Sequence, residues 1–180
     1  AAAETIRLAA GTGLMGGSIE DYTPEGGGRV YDRAHATERV AAAVEAAREG
    51  DVPFILTARA ENFIRGNPDL DDTIARLQAF EAVGADVLYA PGLPGLDAIR
   101  TVCQSVGKPV NLVMGLSGSQ LTTAQLAEAG VRRISLGGSL ARAALGGLMD
   151  AAREIQTGNY SFLDRAATGP EIVAHMRGAG

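Results

Sequence analysis

Five short apolar runs recur along the chain, and a longer stretch with helical periodicity follows each of them. The runs cover residues 14–19, 53–58, 86–90, 109–114 and 131–136. They are strand-length and nearly continuous in hydrophobicity, the pattern of strands buried on both faces in a parallel sheet. Between them, apolar positions return every three or four residues. That spacing predicts helices over 2–10, 36–49, 71–83 and 95–106, from Thr122 or Thr123 to Gly130, and from about 138 to 156. Gly50 and Gly130 are stop signals, and Asp69, Asp71 and Asp72 put negative charge where a helix begins. Residues 22–34 read as a Gly-rich polar loop and 60–70 as a second loop. The chain 1–180 is predicted to form one β/α domain, with 158–180 as a C-terminal extension that carries a short helix near 170–177.

Strands alternating with helices on short connections predict a parallel sheet with right-handed crossovers. The phrases Val-Gly-Ala-Asp-Val, Val-Gly-Lys-Pro-Val and Ala-Gly-Val-Arg-Arg-Ile precede the last three strands and point to shared helix-to-strand turns. Five strands fit an open doubly wound sheet. They equally fit part of a β/α barrel, which closes with eight.

Composition narrows the function classes. Hydrophobic residues make up 46% of the chain, too many for a disordered one. A net charge of −5 and a pI near 5.0 give no reason to expect nucleic acid or an anionic membrane as partner. No apolar run approaches a membrane span, and the first residues lack the basic and apolar regions of a signal peptide. The single cysteine, Cys103, excludes an internal disulfide and suits a reducing cytoplasm.

The chemistry is expected at the run ends. The first run stops at Glu20-Asp21, and the second at Arg59 and Glu61. A strand that ends in charge delivers it to the carboxyl edge of the sheet, where barrel enzymes keep their sites. An acidic tip beside a cationic tip suggests a hydrated metal ion, which prefers carboxylate oxygens, next to a guanidinium clamp for an anion. Glu20 and Asp21 could instead be capping turn residues, and Arg59 could pair with Glu20 or Glu61 to brace the strand ends. Other motifs fail on context. Gly11-Thr-Gly13-Leu-Met-Gly16 precedes a strand, so it is not a dinucleotide loop. Gly115-Leu-Ser117-Gly118-Ser119 lacks the closing glycine of a nucleophile elbow. His35 and His175 are far apart, which leaves no zinc set.

Taken in order, five segments resemble the isocitrate lyase/phosphoenolpyruvate mutase superfamily. They are Gly17-Ser18-Ile19-Glu20-Asp21, Thr57-Ala58-Arg59-Ala60-Glu61-Asn62, Gly84-Ala85-Asp86-Val87-Leu88-Tyr89, Lys108-Pro109-Val110-Asn111 and Gly130-Val131-Arg132-Arg133-Ile134-Ser135-Leu136-Gly137. The resemblance implies a TIM-type (β/α)8 barrel of which this chain supplies about five βα units, strands four to eight. It places strands one to three before Ala1, in roughly 80–100 further residues of the native protein.

The resemblance also implies roles. Glu20 holds a water on magnesium, with manganese as substitute, and Arg59 grips a substrate carboxylate or phosphonate. Asp21 and Glu61 support them, and Asn111 hydrogen-bonds a substrate oxygen. Residues 22–34 sit where the family has a gating loop, from which Arg29 and Tyr31 could reach a substrate. Tyr89 is expected to pack the barrel. The family's cleaving lyases carry a Lys-x-Cys-Gly segment in that loop and a glutamate after strand six. This chain has neither, Pro91-Gly92 standing in the second place, so isocitrate or methylisocitrate cleavage is not expected. The implied enzyme makes or breaks a C–C or P–C bond in a small 2-oxo acid, carboxylate or phosphonate, and works as a homodimer or homotetramer. The remaining alternatives are a phosphate-using or aldol-type barrel enzyme, with phosphate at Gly137-Gly138, and an inactive barrel fragment.

Overall fold

In the computed structural model, which describes residues 1–51, 53–116 and 121–177, the strands are β1 (Gly16–Glu20), β2 (Tyr22–Thr23), β3 (Arg29–Val30), β4 (Ile55–Arg59), β5 (Val87–Tyr89), β6 (Val110–Val113) and β7 (Arg133–Ser135). The helices are α1 (Ala2–Gly11), α2 (Arg33–Ala47), α3 (Leu70–Ala82), α4 (Leu96–Ser105), α5 (Thr123–Glu128), α6 (Ser139–Gln156) and α7 (Gly169–Met176). Ser117, Gly118 and Ser119 of the rejected elbow motif lie outside the described residues. The chain divides into two compact units, Ala1–Gly137 and Gly138–Gly180.

In the first unit, five strands pair in parallel in the order β1-β4-β5-β6-β7. Each new long strand adds beside the last one. A doubly wound sheet would reverse direction at a switch point; an arc of a barrel adds strands one way only. The sheet's outer face supplies Leu56, Ala58 and Leu88 to the core, where they meet Val40 and Ala43 of α2, Leu77 and Phe80 of α3, and Ile99 and Val102 of α4, all buried. Each fully buried Leu or Phe contributes roughly 1.5–3 kcal/mol. Alanine on α1 and α2 lets these helices pack closely on each other, with Ala43, Ala46 and Ala47 buried.

The repeated pre-strand phrases have a physical basis. Gly84 and Gly130 both take positive φ, +98° and +104°, which only glycine adopts without strain. Asp86, two residues after Gly84, accepts from the Leu56 amide at 2.8 Å and from Arg48 Nη2 at 2.6 Å, so it pins the start of β4. Gly107 solves its turn differently, by donating its amide to the Glu81 carboxylate at 3.0 Å.

The loop 22–34 contains a feature that the sequence pattern did not show. Tyr22–Thr23 and Arg29–Val30 pair antiparallel as a two-residue hairpin. Two-residue strands carry no detectable period. Gly26, Gly27 and Gly28 all have positive φ and make the turn.

In the second unit, Glu154 near the end of α6 gathers the following turn. Its carboxylate accepts from Ser161 Oγ at 2.8 Å and the Phe162 amide at 2.7 Å, and pairs with Arg165. These hydrogen bonds, Ser161 foremost, hold its pKa below the usual carboxylate range. Thr168 and Glu171 form a capping box on α7. No described helix is long and apolar enough to cross a membrane.

A Cβ on Gly130 would lie 2.8 Å from Cys103 Cβ in addition to being strained by φ. Gly130→Ala should therefore lower stability by about 1–3 kcal/mol in chemical denaturation. An unchanged midpoint would show that β7 and α4 are not held at this turn.

Candidate active site

One register row crosses the whole sheet. Glu20, Arg59, Tyr89, Asn111 and Arg133 are successive Cα partners from β1 to β7. Side chains alternate along a strand, so a shared row shares a face. Arg59, Tyr89, Asn111 and Arg133 line a cavity of about 550 Å³ on the concave side of the sheet, with Thr57 and Ser135 among its other walls.

Arg59 is held by two carboxylates. Its Nε and Nη2 reach Glu61 Oε1 at 2.9 and 2.7 Å, and its Nη1 reaches Glu20 Oε1 at 2.9 Å. A guanidinium has five N–H groups, so among the described residues one on each Nη is left without a carboxylate. The Tyr89 ring lies 4.9 Å from its Cζ. Burial pushes the Tyr89 phenol pKa up, despite the Arg59 charge, so the ring keeps its proton. Glu61 is fully buried, and its Oε2 takes Arg65 Nη2 at 3.2 Å. Arg65 stacks over the Tyr22 ring at 3.6 Å, tying the hairpin to the same carboxylate.

Asp21 faces the other way. It is 2% exposed and accepts from the Glu61 amide at 2.8 Å and from Arg76 Nη1 at 3.0 Å. Arg76, on α3, also donates to Asp72 Oδ2 at 2.7 Å and to the Tyr31 carbonyl at 2.8 Å. Burial pushes the Asp21 carboxyl pKa up, against the pull of the Glu61 amide and Arg76. For Arg76, burial acts to lower the pKa, but the bonds to Asp72 and the charge of Asp21 outweigh it and the net direction is up. Asp21 is thus a structural anchor between β1, α3 and the loop after β4.

Asn111 is 2% exposed. Its Nδ2 donates to Ser135 Oγ at 3.1 Å, and its buried Oδ1 has no partner among the described residues. Arg29 and Tyr31, placed by sequence in a loop that reaches substrate, are not among the cavity walls. The Tyr31 ring packs edge-on against His35 at 4.9 Å and lies under Arg39 at 4.7 Å and Arg29 at 5.8 Å. Arg76 takes its carbonyl, so the loop end is fastened.

Comparison with known proteins places this geometry. The family model described as phosphoenolpyruvate phosphomutase matches residues 1–156. The chain belongs to the phosphoenolpyruvate phosphomutase family. A lyase/mutase candidate from Burkholderia cenocepacia J2315 is 54% identical, with a TM-score of 0.91 over 94% of this chain and 62% of that one. A phosphonopyruvate hydrolase solved with oxalate and Mg++ is 25% identical, with a TM-score of 0.77 over 98% of this chain and 63% of that one. An oxaloacetate decarboxylase of Paraburkholderia xenovorans (strain LB400) is 30% identical over 127 residues, 71% of this chain and 41% of that protein. The chain therefore spans about two fifths to just under two thirds of the length of these relatives.

Against this family, the acidic residues divide by accessibility. Among the described residues, no group of three or more His, Cys, Asp or Glu could hold a metal ion. Asp21 and Glu61 are buried and committed to arginines. The Glu20 side chain is 36% exposed, and among the described residues its Oε2 pairs only with Arg65 Nη2, at 3.8 Å. It fits one outer position, accepting from a metal-bound water, and not a complete metal site.

Sequence reasoning passed over Arg65, Arg76 and Arg133. Arg65 stands four residues after Glu61, and Arg76 four after Asp72, at helical pairing distance. Arg132 and Arg133 are adjacent at a strand start, so strand alternation sends one of them inward.

Removing Arg76 would leave Asp21 buried without its cation. Arg76→Met should cost about 3–5 kcal/mol at neutral pH. Asp21 has a raised folded pKa, so its ionised form opposes folding, and protonation relieves this. The deficit of the variant should shrink as pH falls toward the carboxylate range. A deficit that stays constant or grows on acidification would show that Asp21 is not the charge left exposed to burial.

Proposed function

We propose that this chain forms the core of a cytoplasmic, magnesium-dependent lyase or phosphonomutase-type enzyme that makes or breaks a C–C or P–C bond in a small 2-oxo acid, carboxylate or phosphonate. The observation that carries this reading is Arg59, fixed beside the cavity by Glu61 and Glu20 and left, among the described residues, with two N–H groups that no carboxylate takes. A guanidinium whose orientation is already set loses little freedom when it grips an acid group. The family and its relatives support the reaction class.

Each residue then has a task. Arg59 binds and orients the acid group. Tyr89 walls the same end of the cavity and keeps its proton, so it presents a hydrogen-bond donor and not a charge. Glu20 would hold a water of the metal, with manganese an acceptable replacement for magnesium. When bound, the metal supplies a Lewis acid beside the oxygen that gains negative charge. Glu61 and Arg65 keep Arg59 in place, while Asp21 and Arg76 hold the loop that closes this end.

Two variants test the reading on the native protein. Glu20→Gln should weaken magnesium activation about 10–100-fold, as loss of an outer partner does, with the melting temperature nearly kept. Arg59→Lys retains charge but loses the fork, and should reduce kcat/KM for a 2-oxo acid by about 1.5–3 kcal/mol. Unaltered magnesium dependence and unaltered kinetics would defeat the reading.

We also propose a homodimer or homotetramer. Leu140, Leu145, Leu148 and Met149 of α6 are all exposed large apolar side chains. Light scattering at micromolar concentration should give a mass of at least twice the subunit; a monomer would remove this part of the proposal.

A further inference from the structure

Next to Glu61 in the chain stands a second fully buried polar residue, Asn62. Its Nδ2 donates to the Asp69 carbonyl at 3.0 Å and to Thr73 Oγ1 at 2.6 Å, across the loop to the start of α3. Its own carbonyl accepts from the Arg65 amide at 3.2 Å and from the Asn67 amide at 2.9 Å. The loop between β4 and α3 is thus drawn onto this one residue, and Arg65 rides on the turn that it closes.

Stability alone does not account for an asparagine here. Asn62 Oδ1 is enclosed and has no partner among the described residues. A buried acceptor without a donor opposes folding. The Asp69 carbonyl is also served without Asn62, since Thr73 donates to it through its amide at 3.1 Å and its hydroxyl at 2.6 Å. Proteins retain such local costs at functional sites.

The consequence for the site lies at Glu61. Arg59 reaches it with Nε and Nη2, yet both contacts go to Oε1, at 2.9 and 2.7 Å. Arg65 Nη2 holds the other oxygen, Oε2, at 3.2 Å. With Oε2 released, the Nε/Nη2 edge of Arg59 could take both oxygens in a parallel two-bond pair, the stronger geometry for guanidinium and carboxylate. Such a pair would draw the guanidinium toward Glu61 and away from Glu20, whose Oε1 takes Nη1 at 2.9 Å. The orientation of Arg59 therefore depends on Arg65 staying on Glu61, and Asn62 closes the turn that puts Arg65 there.

We propose that Asn62 is a positioning residue for the acid clamp: it holds Arg65 on Glu61 Oε2 and so keeps Arg59 spread between Glu61 and Glu20. This deepens the reading of Arg59 as a clamp and rests on it.

Two readouts on the native protein test it. Arg65 lies 3.6 Å over the Tyr22 ring, so ring current should place its δ-protons upfield of their ordinary position in NMR spectra. Asn62→Ala should return them toward that position. Thr73→Val removes the hydroxyl that Asn62 grips and should return them part of the way. The second readout is calorimetric binding of oxalate in the presence of magnesium. Asn62→Ala should weaken it by about tenfold, the scale of one charge-assisted hydrogen bond. Arg65→Gln should weaken it by a similar factor. Adding Asn62→Ala to Arg65→Gln should then cost less than about twofold more, because both changes remove the same restraint. If Asn62→Ala fails to fold, Thr73→Val takes its place in this cycle. Losses that multiply independently, or an Arg65 signal that neither variant moves, overturn the proposal and leave Asn62 a loop stabiliser only. Failure of the clamp reading looks different: a wild type that binds no oxalate defeats that reading, and the Arg65 signal then decides this inference alone.

Discussion

The fully buried carboxylate of Glu61 is the constraint on which the site depends. An ionised group without water must be paired or it destabilises the fold by several kcal/mol. Glu61 meets this with Arg59 on one oxygen and Arg65 on the other, while its backbone amide is fixed by Asp21. Each partner is thereby immobilised in turn. Arg59 points along the cavity wall, Arg65 covers Tyr22 of the hairpin, and Asp21 recruits Arg76 from α3. The charged end of the sheet is one connected network, and loss of any member is felt at the others.

That network explains which parts of the site could be foreseen. Glu20, Asp21, Arg59 and Glu61 stand at the ends of apolar runs, where a sudden charge is conspicuous in sequence. Their mutual pairing was an open alternative, and the structure shows both Arg59 ion pairs in place. The partners from helices and loops carry no such mark. Arg65 and Arg76 look like ordinary surface arginines until tertiary packing brings them to a buried acid. The ends of the loop 22–34 are fastened in the same unmarked way, by Arg65 on Tyr22 and by Arg76 on the Tyr31 carbonyl, while its three glycines lie between them.

The fold was more legible than the site because it rests on repetition. Five apolar runs at βα spacing became five parallel strands, each within about two residues of its expected bounds. Strand order was not readable from the pattern, since periodicity records burial and says nothing about neighbours. Order decides between a barrel arc and a doubly wound sheet, and it came from pairing alone.

Adjacent extended residues point to opposite faces, which is how Glu20 at the end of β1 and Asp21 just after it come to have unlike environments. Glu20 meets the cavity's arginine, while Asp21 is buried beneath α3. A slip of one residue in β1 would exchange them, putting the anchor in the cavity and the accessible carboxylate in the core. Two glycines at the start of β1 oppose that slip. A Cβ at Gly16 would lie 2.6 Å from the Ile55 carbonyl oxygen, and one at Gly17 would lie 3.2 Å from the Phe54 ring. No side chain fits at Gly16 without moving backbone, and one at Gly17 fits only if the Phe54 ring gives way. A slip of one position toward the C-terminal end would press Met15 into the Gly16 place, and a slip the other way would press Ser18 into the Gly17 place. The register of β1, and with it the division between a chemical and a structural carboxylate, is therefore set by close contacts three to five residues before the two acids.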